Sequence, residues 1–557
     1  MHRILTLPAL LPALVLWMFS SCHEAGIAMD REGGGSRNER EERLWSEVRE
    51  CLSRAESDKG RIDDSLTLRE RELVLGIYSQ PEERRFWIDG QGLKAAGRDL
   101  AGFIADAGSY GLFPRHYPGS EIKGLRKATG DSAREGDEEV WARTELLLTD
   151  AFVRLARHLK IGRLSTDSVT HRKDSLIGVA GMLALLHRVD AGESVRSVLE
   201  SMEPSHSGYH ELRRALGVQL DSMDLRPHTI LSFPQKDSMK FIRQLQTRLF
   251  ESGYIGFNNR AADSATLSKA ISKAQSARRI KVDGKPGREL VRSLNNTDYH
   301  RYLRVAVNLD RYKQLPDPLP ARHLWVNIPS YQLQLIDSGK VKLESRVIVG
   351  TAEQRTPVLT SDVDRIVTYP YWNVPYSIVF KEMLPRIKAN PSYLTSRNYE
   401  VVDRKGRVVD PHTIDWSRVG PTYFPYMIRQ KEGGFNSLGL LKFNFPNKYA
   451  VYLHDTNARG LFTKSNRSLS HGCVRVQQWR ELATLLLSPV DTLSPQTDSL
   501  NAYLERKQQR TLDVAEPTPI YLRYFTAYAR EGRIRYYEDI YGDDRVTIER
   551  HFSGRLF

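Results

Sequence analysis

Cysteine is scarce in this sequence. Three occur among 557 residues, Cys22, Cys51 and Cys473, too few and too widely spaced for a disulfide framework. No C-x-x-C pair is present, and a zinc site drawn from His454, His471 and Cys473 has no obvious fourth ligand. No apolar run reaches the ~20 residues that a membrane-spanning helix requires. Nor does any basic stretch alternate with aromatics or glycines in the manner of a nucleic-acid module, so nucleic acid is set aside as a partner. Self-similarity at the ~20–50-residue periods of repeat proteins is also absent.

What is present is an ordinary soluble composition, 40% hydrophobic and 27% charged, in a chain long enough for roughly two to four structural units. Lys and Arg total 82 against 68 Asp and Glu, a net charge of +14. Such a surface favours anionic neighbours, membrane head-groups or wall polymers among them, and it also fits a merely solvated basic surface.

The N-terminus narrows the choice. His2 and Arg3 precede the apolar stretch Ile4 to Phe19, interrupted by Pro8 and Pro12, and then Ser20-Ser21-Cys22 follow. A short positive region, an apolar core and small residues form a secretory signal. A cysteine in that place resembles a bacterial lipobox, with Cys22 lipidated, although Phe19 stands where leucine is usual. A plainly cleaved signal is the alternative. Either form predicts a protein of the periplasm or cell envelope, the first with an N-terminal lipid anchor in a membrane. Cys51 and Cys473 then remain; a bridge between them would silence Cys473 if that thiol is reactive.

Along the chain, the pattern predicts an α+β multidomain fold. Residues 1–22 read as the signal and 23–43, with Gly33-Gly34-Gly35 and many charges, as a flexible tether. Residues 44–235 are mainly helical; Glu145 to Ala156 carries a broad apolar face expected to pack in a core. A smaller unit at 236–297 opens with the amphipathic run Phe241 to Leu249 and closes on the turn Val282-Asp283-Gly284. A connecting helix fills 298–320. The texture then turns to β-formers at Leu324–Ile328, Tyr331–Ile336, Lys342–Val349, Ile366–Tyr371 and Tyr449–Leu453. That β-rich unit is assigned 321–490, with a helical insertion at 377–418 that suits a lid or a passive excursion. Residues 491–557 form a C-terminal extension.

Chemistry concentrates in Tyr452-Leu453-His454-Asp455-Thr456 and Ser470-His471-Gly472-Cys473-Val474-Arg475. A thiol is a strong nucleophile only as thiolate, and a nearby imidazole takes its proton. His454 lies 19 residues before Cys473, enough for a loop to return the thiol beside it. Gly472 removes a side chain next to the nucleophile, leaving backbone N–H groups to face a developing oxyanion. Arg475 offers a fork for a substrate carboxylate.

These blocks resemble the active-site signature of the L,D-transpeptidase catalytic domain, the YkuD family. Val349-Gly350, Thr356-Pro357, Trp372-Asn373-Val374-Pro375, Leu438-Gly439-x-x-Lys442-Phe443 and Asp539-Ile540-Tyr541-Gly542 extend the resemblance to its large YcbB-like subgroup. That subgroup has a helical scaffold, a small three-helix peptidoglycan-binding domain and a helical lid, which the units above match in order. The resemblance implies Cys473 as nucleophile and His454 as proton acceptor and donor. The backbone carbonyl after His454 would orient its imidazole. His471 would shape the oxyanion loop, Ser470 and Gly472 would set its turn, and Arg475, Tyr452 and Trp372 would line the cleft for peptidoglycan stem peptides. The two aromatics also fit a core role, and His471 a structural one. No metal or organic cofactor is implied. The implied reaction releases D-alanine from a tetrapeptide donor through a cysteine thioester and forms a 3→3 cross-link. Hydrolysis at the same site, attachment or release of a wall protein, and a non-catalytic wall-binding lipoprotein are the alternatives.

Overall fold

The computed structural model describes residues 37–80, 85–89, 91–129, 137–164, 177–232, 238–488 and 495–552. The signal and lipobox expected at 1–22, Cys22 included, lie outside the described residues. No helix among the described residues is long and apolar enough to cross a membrane.

The N-terminal unit is helical: α1 (Arg37–Ser57), α2 (Arg71–Tyr78), a two-residue hairpin β1 (Ile88–Asp89) and β2 (Gly92–Leu93), then α3 (Ala95–Ala105), α4 (Gly119–Thr129), α5 (Glu138–Lys160), α6 (Val179–Asp190), α7 (Val195–Glu200) and α8 (Ser207–Leu220). α1 starts at Arg37, within the tether assigned to 23–43; the rest of that assignment lies outside the described residues. Leu44, Trp45, Val48, Cys51 and Ala55 form one buried stripe of that helix and draw its charged first turns into helical register. Cys51 is buried in that stripe and unbridged, with its thiol pushed up to about 11 by desolvation. α5 is the axis of the unit, as its apolar face predicts. One of its two buried internal carboxylates, Glu145, accepts the backbone N–H groups of Phe86, Trp87 and Ile88 at 2.7, 3.0 and 3.0 Å. A buried acid is tolerated there because it satisfies three donors that would otherwise be orphaned.

A second unit of three helices, α9 (Ser238–Glu251), α10 (Ser264–Ala277) and α11 (Arg288–Asn295), closes on its own core of Phe241, Leu245, Leu249, Leu267, Ile271, Leu290 and Leu294. Asp263 caps α10 by accepting from Thr266 N at 2.7 Å. The connecting helix α12 (Asp298–Lys313) follows.

The β-rich unit holds β3 (Arg322–Asn327), β4 (Gln332–Asp337), β5 (Lys340–Gly350) and β6 (Leu359–Thr368). An insertion comes next: β7 (Trp372–Asn373), α13 (Tyr376–Ile378), α14 (Leu384–Ala389), α15 (Ser392–Thr395), β8 (Tyr399–Asp403), β9 (Val408–Val409) and β10 (Tyr426–Gln430). The fold then continues with β11 (Leu441–Asn444), β12 (Leu453–His454), β13 (Ser468–Ser470), β14 (Val474–Val476), α16 (Trp479–Leu487), α17 (Pro495–Glu505) and β15 (Arg510–Arg523). It ends with β16 (Ala527–Arg530), β17 (Arg533–Tyr536) and α18 (Asp543–His551). The main sheet runs β13-β5-β14-β12-β11-β6-β15-β3-β4, and β4 pairs again with β5, so the sheet closes on itself.

Three expectations are corrected. The insertion is mixed rather than helical and wider than 377–418: β7, β10, β8 and β9 form a separate four-stranded sheet over a core of its own that includes Val379, Ile387, Val401 and Ile428. The extension assigned to 491–557 is not an appendage, because β15 lies between β6 and β3 inside the main sheet. Strand Tyr449–Leu453 shrinks to β12, since Ala450 takes φ +55° and breaks the extended run.

Candidate active site

Register builds the site. β12 and β14 run parallel with Leu453 opposite Val474 and His454 opposite Arg475, and Val474 N donates to Tyr452 O at 3.1 Å. β11 is antiparallel to β12 with Lys442 opposite His454. Alternation then sorts the side chains. Leu453, Phe443, Val474 and Val476 point into the core, all fully buried. Tyr452, His454, Lys442, Cys473 and Arg475 share the other face and line a cleft of about 630 Å³. Cys473, just before β14, thus sits opposite Tyr452 and two residues out of step with His454, on the same face.

The loop before β14 presents the thiol. Gly472 has φ +118°, a conformation that a side chain would strain. Ser470, buried, donates from Oγ to Cys473 O at 2.6 Å and accepts Gly472 N–H at 3.2 Å. The Gly472 amide is therefore turned inward onto Ser470 and does not face an oxyanion, contrary to the expectation for that residue. The Cys473 N–H makes no hydrogen bond to a described residue. Its Sγ closes one long hydrogen bond, to Ala450 O at 3.9 Å.

His471, expected to shape the oxyanion loop or to play a structural part, lies on the loop before Cys473. It is exposed, and its Nε2 lies 2.8 Å from Glu382 Oε1, joining the nucleophile loop to the insertion. Glu382 stands in a single wide helical turn, Val379–Met383, between α13 and α14; such turns re-aim side chains. Trp372, Ser470 and His471 all line the cleft with the residues above.

Electrostatically the resting site is neutral at its centre. Burial drives the His454 imidazole down to about 3, and the Arg475 charge adds to this. Nearby backbone of Asp455 and Leu438 opposes the shift, although the His454 Nδ1 closes no hydrogen bond of full geometry. Burial likewise raises the Cys473 thiol, while the backbone and hydroxyl of Tyr452, then Lys442 and Arg475, pull it back. The thiol is packed round by protein yet still reaches solvent through the cleft. An ion pair of thiolate and imidazolium, expected from the residue types, is therefore not the resting form. Proton transfer between the two creates both charges together, and their attraction offsets the desolvation that opposes each alone.

Two contacts escaped the sequence. The Tyr452 hydroxyl lies near enough to the Cys473 thiol to favour its ionised form, and the Trp372 side chain acts on the same hydroxyl, so Tyr452 faces the thiol as well as the cleft wall. Lys442 sits 4.0 Å from the Tyr452 ring centroid, largely buried, its ammonium lowered by desolvation. Neither Lys442 nor Arg475 has a carboxylate within ion-pair distance among the described residues, and Arg475 Nε is buried without a partner. Two unpaired cations beside a thiol suit an anionic substrate. Only the cross-strand register of Lys442 with His454 exposes the first of them.

Because Tyr452 favours the thiol's ionised form, Tyr452→Phe should raise the midpoint of Cys473 alkylation by iodoacetamide by about half to one pH unit, measured from rates between about pH 7 and 11. An unchanged midpoint would remove Tyr452 from thiol chemistry.

Two family models match this chain. Residues 321–514 match the family model of the L,D-transpeptidase catalytic domain (YkuD), and residues 72–216 match that of the scaffold domain. A Haemophilus influenzae protein described as "Putative L,D-transpeptidase" is 42% identical over 242 residues, which cover 43% of this chain and 48% of that protein. The match thus spans about half the length of this curated relative. Among solved structures, the L,D-transpeptidase (residues 123–326) from Xylanimonas cellulosilytica aligns at 12% identity over 54% of this chain and 98% of its own, with a TM-score of 0.14. The Ldtfm-avibactam carbamoyl enzyme aligns at 12% identity over 37% and 49%, with a TM-score of 0.16. At those scores neither structural likeness carries weight.

Proposed function

From a chain whose residues 321–514 belong to the YkuD family of L,D-transpeptidase catalytic domains and whose residues 72–216 form a scaffold domain, we propose an exported enzyme that forms 3→3 cross-links in peptidoglycan. The observation that carries this is the parallel register of β12 with β14, which sets Cys473 beside the row of Tyr452 and His454 over one cleft.

Cys473 gives its proton to His454 and attacks the carbonyl at the L-centre of the third-position diamino acid of a tetrapeptide stem. The C–N bond to the terminal D-alanine breaks, that amine takes the proton back from His454, and a thioester remains on Sγ. The side-chain amine of a neighbouring stem then attacks the thioester. Its proton passes to His454, the thiolate leaves and is reprotonated, and the new amide is the cross-link. Neutral His454 suits the first step as acceptor. Arg475 and Lys442 suit the stem carboxylates. The three-helix unit of α9 to α11 would hold peptidoglycan, and the insertion would cover the donor stem. The anchor would be a lipid on Cys22, holding the protein at the envelope.

The test is product analysis with a purified disaccharide-tetrapeptide supplied as both donor and acceptor. Cross-linked dimer with one D-alanine released per bond is expected. Tripeptide alone, with acceptor amine in excess, would make the protein an L,D-carboxypeptidase.

A further inference from the structure

The C-terminal segment beyond residue 514 lies outside the matched catalytic family region, yet it reaches the nucleophile loop through two hydroxyls. Thr356 Oγ1 donates to Gly472 O at 2.8 Å and accepts Gly350 N–H at 2.9 Å. Tyr541 OH accepts Thr356 N–H at 3.1 Å and donates to Gly350 O at 2.8 Å. Tyr541 thereby ties both ends of the loop that carries Thr356. That loop is tight: a Cβ at Gly350 would lie 2.0 Å from Gln354 O. Thr356 and Tyr541 are both buried, so water does not replace these bonds readily.

The consequence follows from the peptide bond. The plane joining Gly472 to Cys473 is rigid and trans, so its C=O and N–H point in opposite directions. A hydroxyl that pins Gly472 O also aims the Cys473 N–H. That N–H is the one without a hydrogen bond among the described residues, whereas Gly472 N–H is taken by Ser470. At φ +118° Gly472 has no side chain to hold this plane by packing, so the grip must come from outside.

Tyr541 is itself braced. Its ring stacks on Tyr524 at 5.5 Å, its N–H donates to Tyr524 OH at 2.9 Å, and Tyr524 OH donates to Asp539 at 2.7 Å. Asp539 also accepts Asp544 N–H at 3.1 Å, and Asp544 pairs with Arg304 and Arg311 of α12 at 3.1 and 2.6 Å. A continuous path of hydrogen bonds runs from the connecting helix to the peptide bearing the nucleophile.

We propose that Thr356 and Tyr541 are positioning residues that aim the Cys473 N–H at the oxyanion, making the C-terminal segment part of the acyl-transfer apparatus. This rests on the acyl-transfer reading above. The test compares two reactions of the same sulfur in the full-length protein. Acylation by the carbapenem meropenem, followed by intact mass, passes through an oxyanion; alkylation by iodoacetamide does not. Thr356→Val should slow acylation about 10- to 100-fold and leave alkylation within about twofold. Thr356→Ser should restore acylation to within about threefold, and Tyr541→Phe should slow it about tenfold. Thr356→Val and Tyr541→Phe that acylate at the wild-type rate would overturn the proposal, as would acylation and alkylation falling together. A wild-type protein that alkylates at Cys473 but takes no acyl group would overturn the acyl-transfer reading, and this inference with it.

Discussion

Cys473→Ala is expected to lower D-alanine release from a tetrapeptide stem by at least ~10⁴-fold while leaving the protein folded. The loss is this large because, among the described residues, the other thiol cannot take over: Cys51 is buried in α1 with its thiol near 11. The fold survives because the one hydrogen bond that Cys473 Sγ closes is long, 3.9 Å to Ala450 O, and the buried neighbours Val474 and Val476 carry the packing. Chromatography of free D-alanine checks the rate, and a thermal melt checks the fold. Residual turnover above about 1% in a folded variant would place the nucleophile elsewhere. The same variant should bind peptidoglycan as the wild type does, which separates an enzyme from a wall-binding protein.

The second large effect belongs to His454. His454→Ala should reduce turnover by about 10³-fold or more, since general base and acid are lost together. The pH dependence discriminates further. A free imidazole would impose an acid limb near pH 6.5, whereas burial holds His454 at about 3. The kcat/KM profile of the wild type should therefore stay flat as pH falls from about 7 to 5. Stability, unlike activity, should depend on pH in this window. The unfolded chain takes up a proton on this histidine near pH 6.5 and the folded chain does not, so the wild type loses stability as pH falls through that window. His454→Ala lacks this contribution, and its stability relative to wild type should improve from pH 6.5 toward pH 4 in urea titrations. An acid limb at pH 6.5 with no stability difference would contradict a buried neutral imidazole.

How much of this was legible in the sequence follows the range of the interactions. Gly472-Cys473 and His454 stand out because thiol, turn and imidazole lie within 20 residues of chain and their chemistry depends on residue type. The helical N-terminal unit was legible from periodicity, α5 most clearly. Register was not. Lys442 becomes a site residue only when β11 pairs with β12 and sets it opposite His454. β15 was invisible because Arg510–Arg523 holds Pro517 and Pro519 and pairs with β6 across more than 140 residues, a contact with no local signal. The insertion misled because its helices are contiguous in sequence whereas its strands pair β8 with β10 across a gap. The neutral resting state of Cys473 and His454 was misjudged for a related reason. Residue types predict an ion pair, and burial, which only the assembled fold determines, reverses that expectation.

The most direct measurement traps the intermediate. Full-length protein mixed with disaccharide-tetrapeptide and quenched in acid within seconds should show an intact-mass increase equal to the disaccharide-tripeptide acyl group. Digestion should map it to the peptide containing Cys473, as a bond that hydroxylamine cleaves, with one D-alanine released per acyl group. Release of D-alanine with no adduct on Cys473, persisting undiminished in Cys473→Ala, would contradict it.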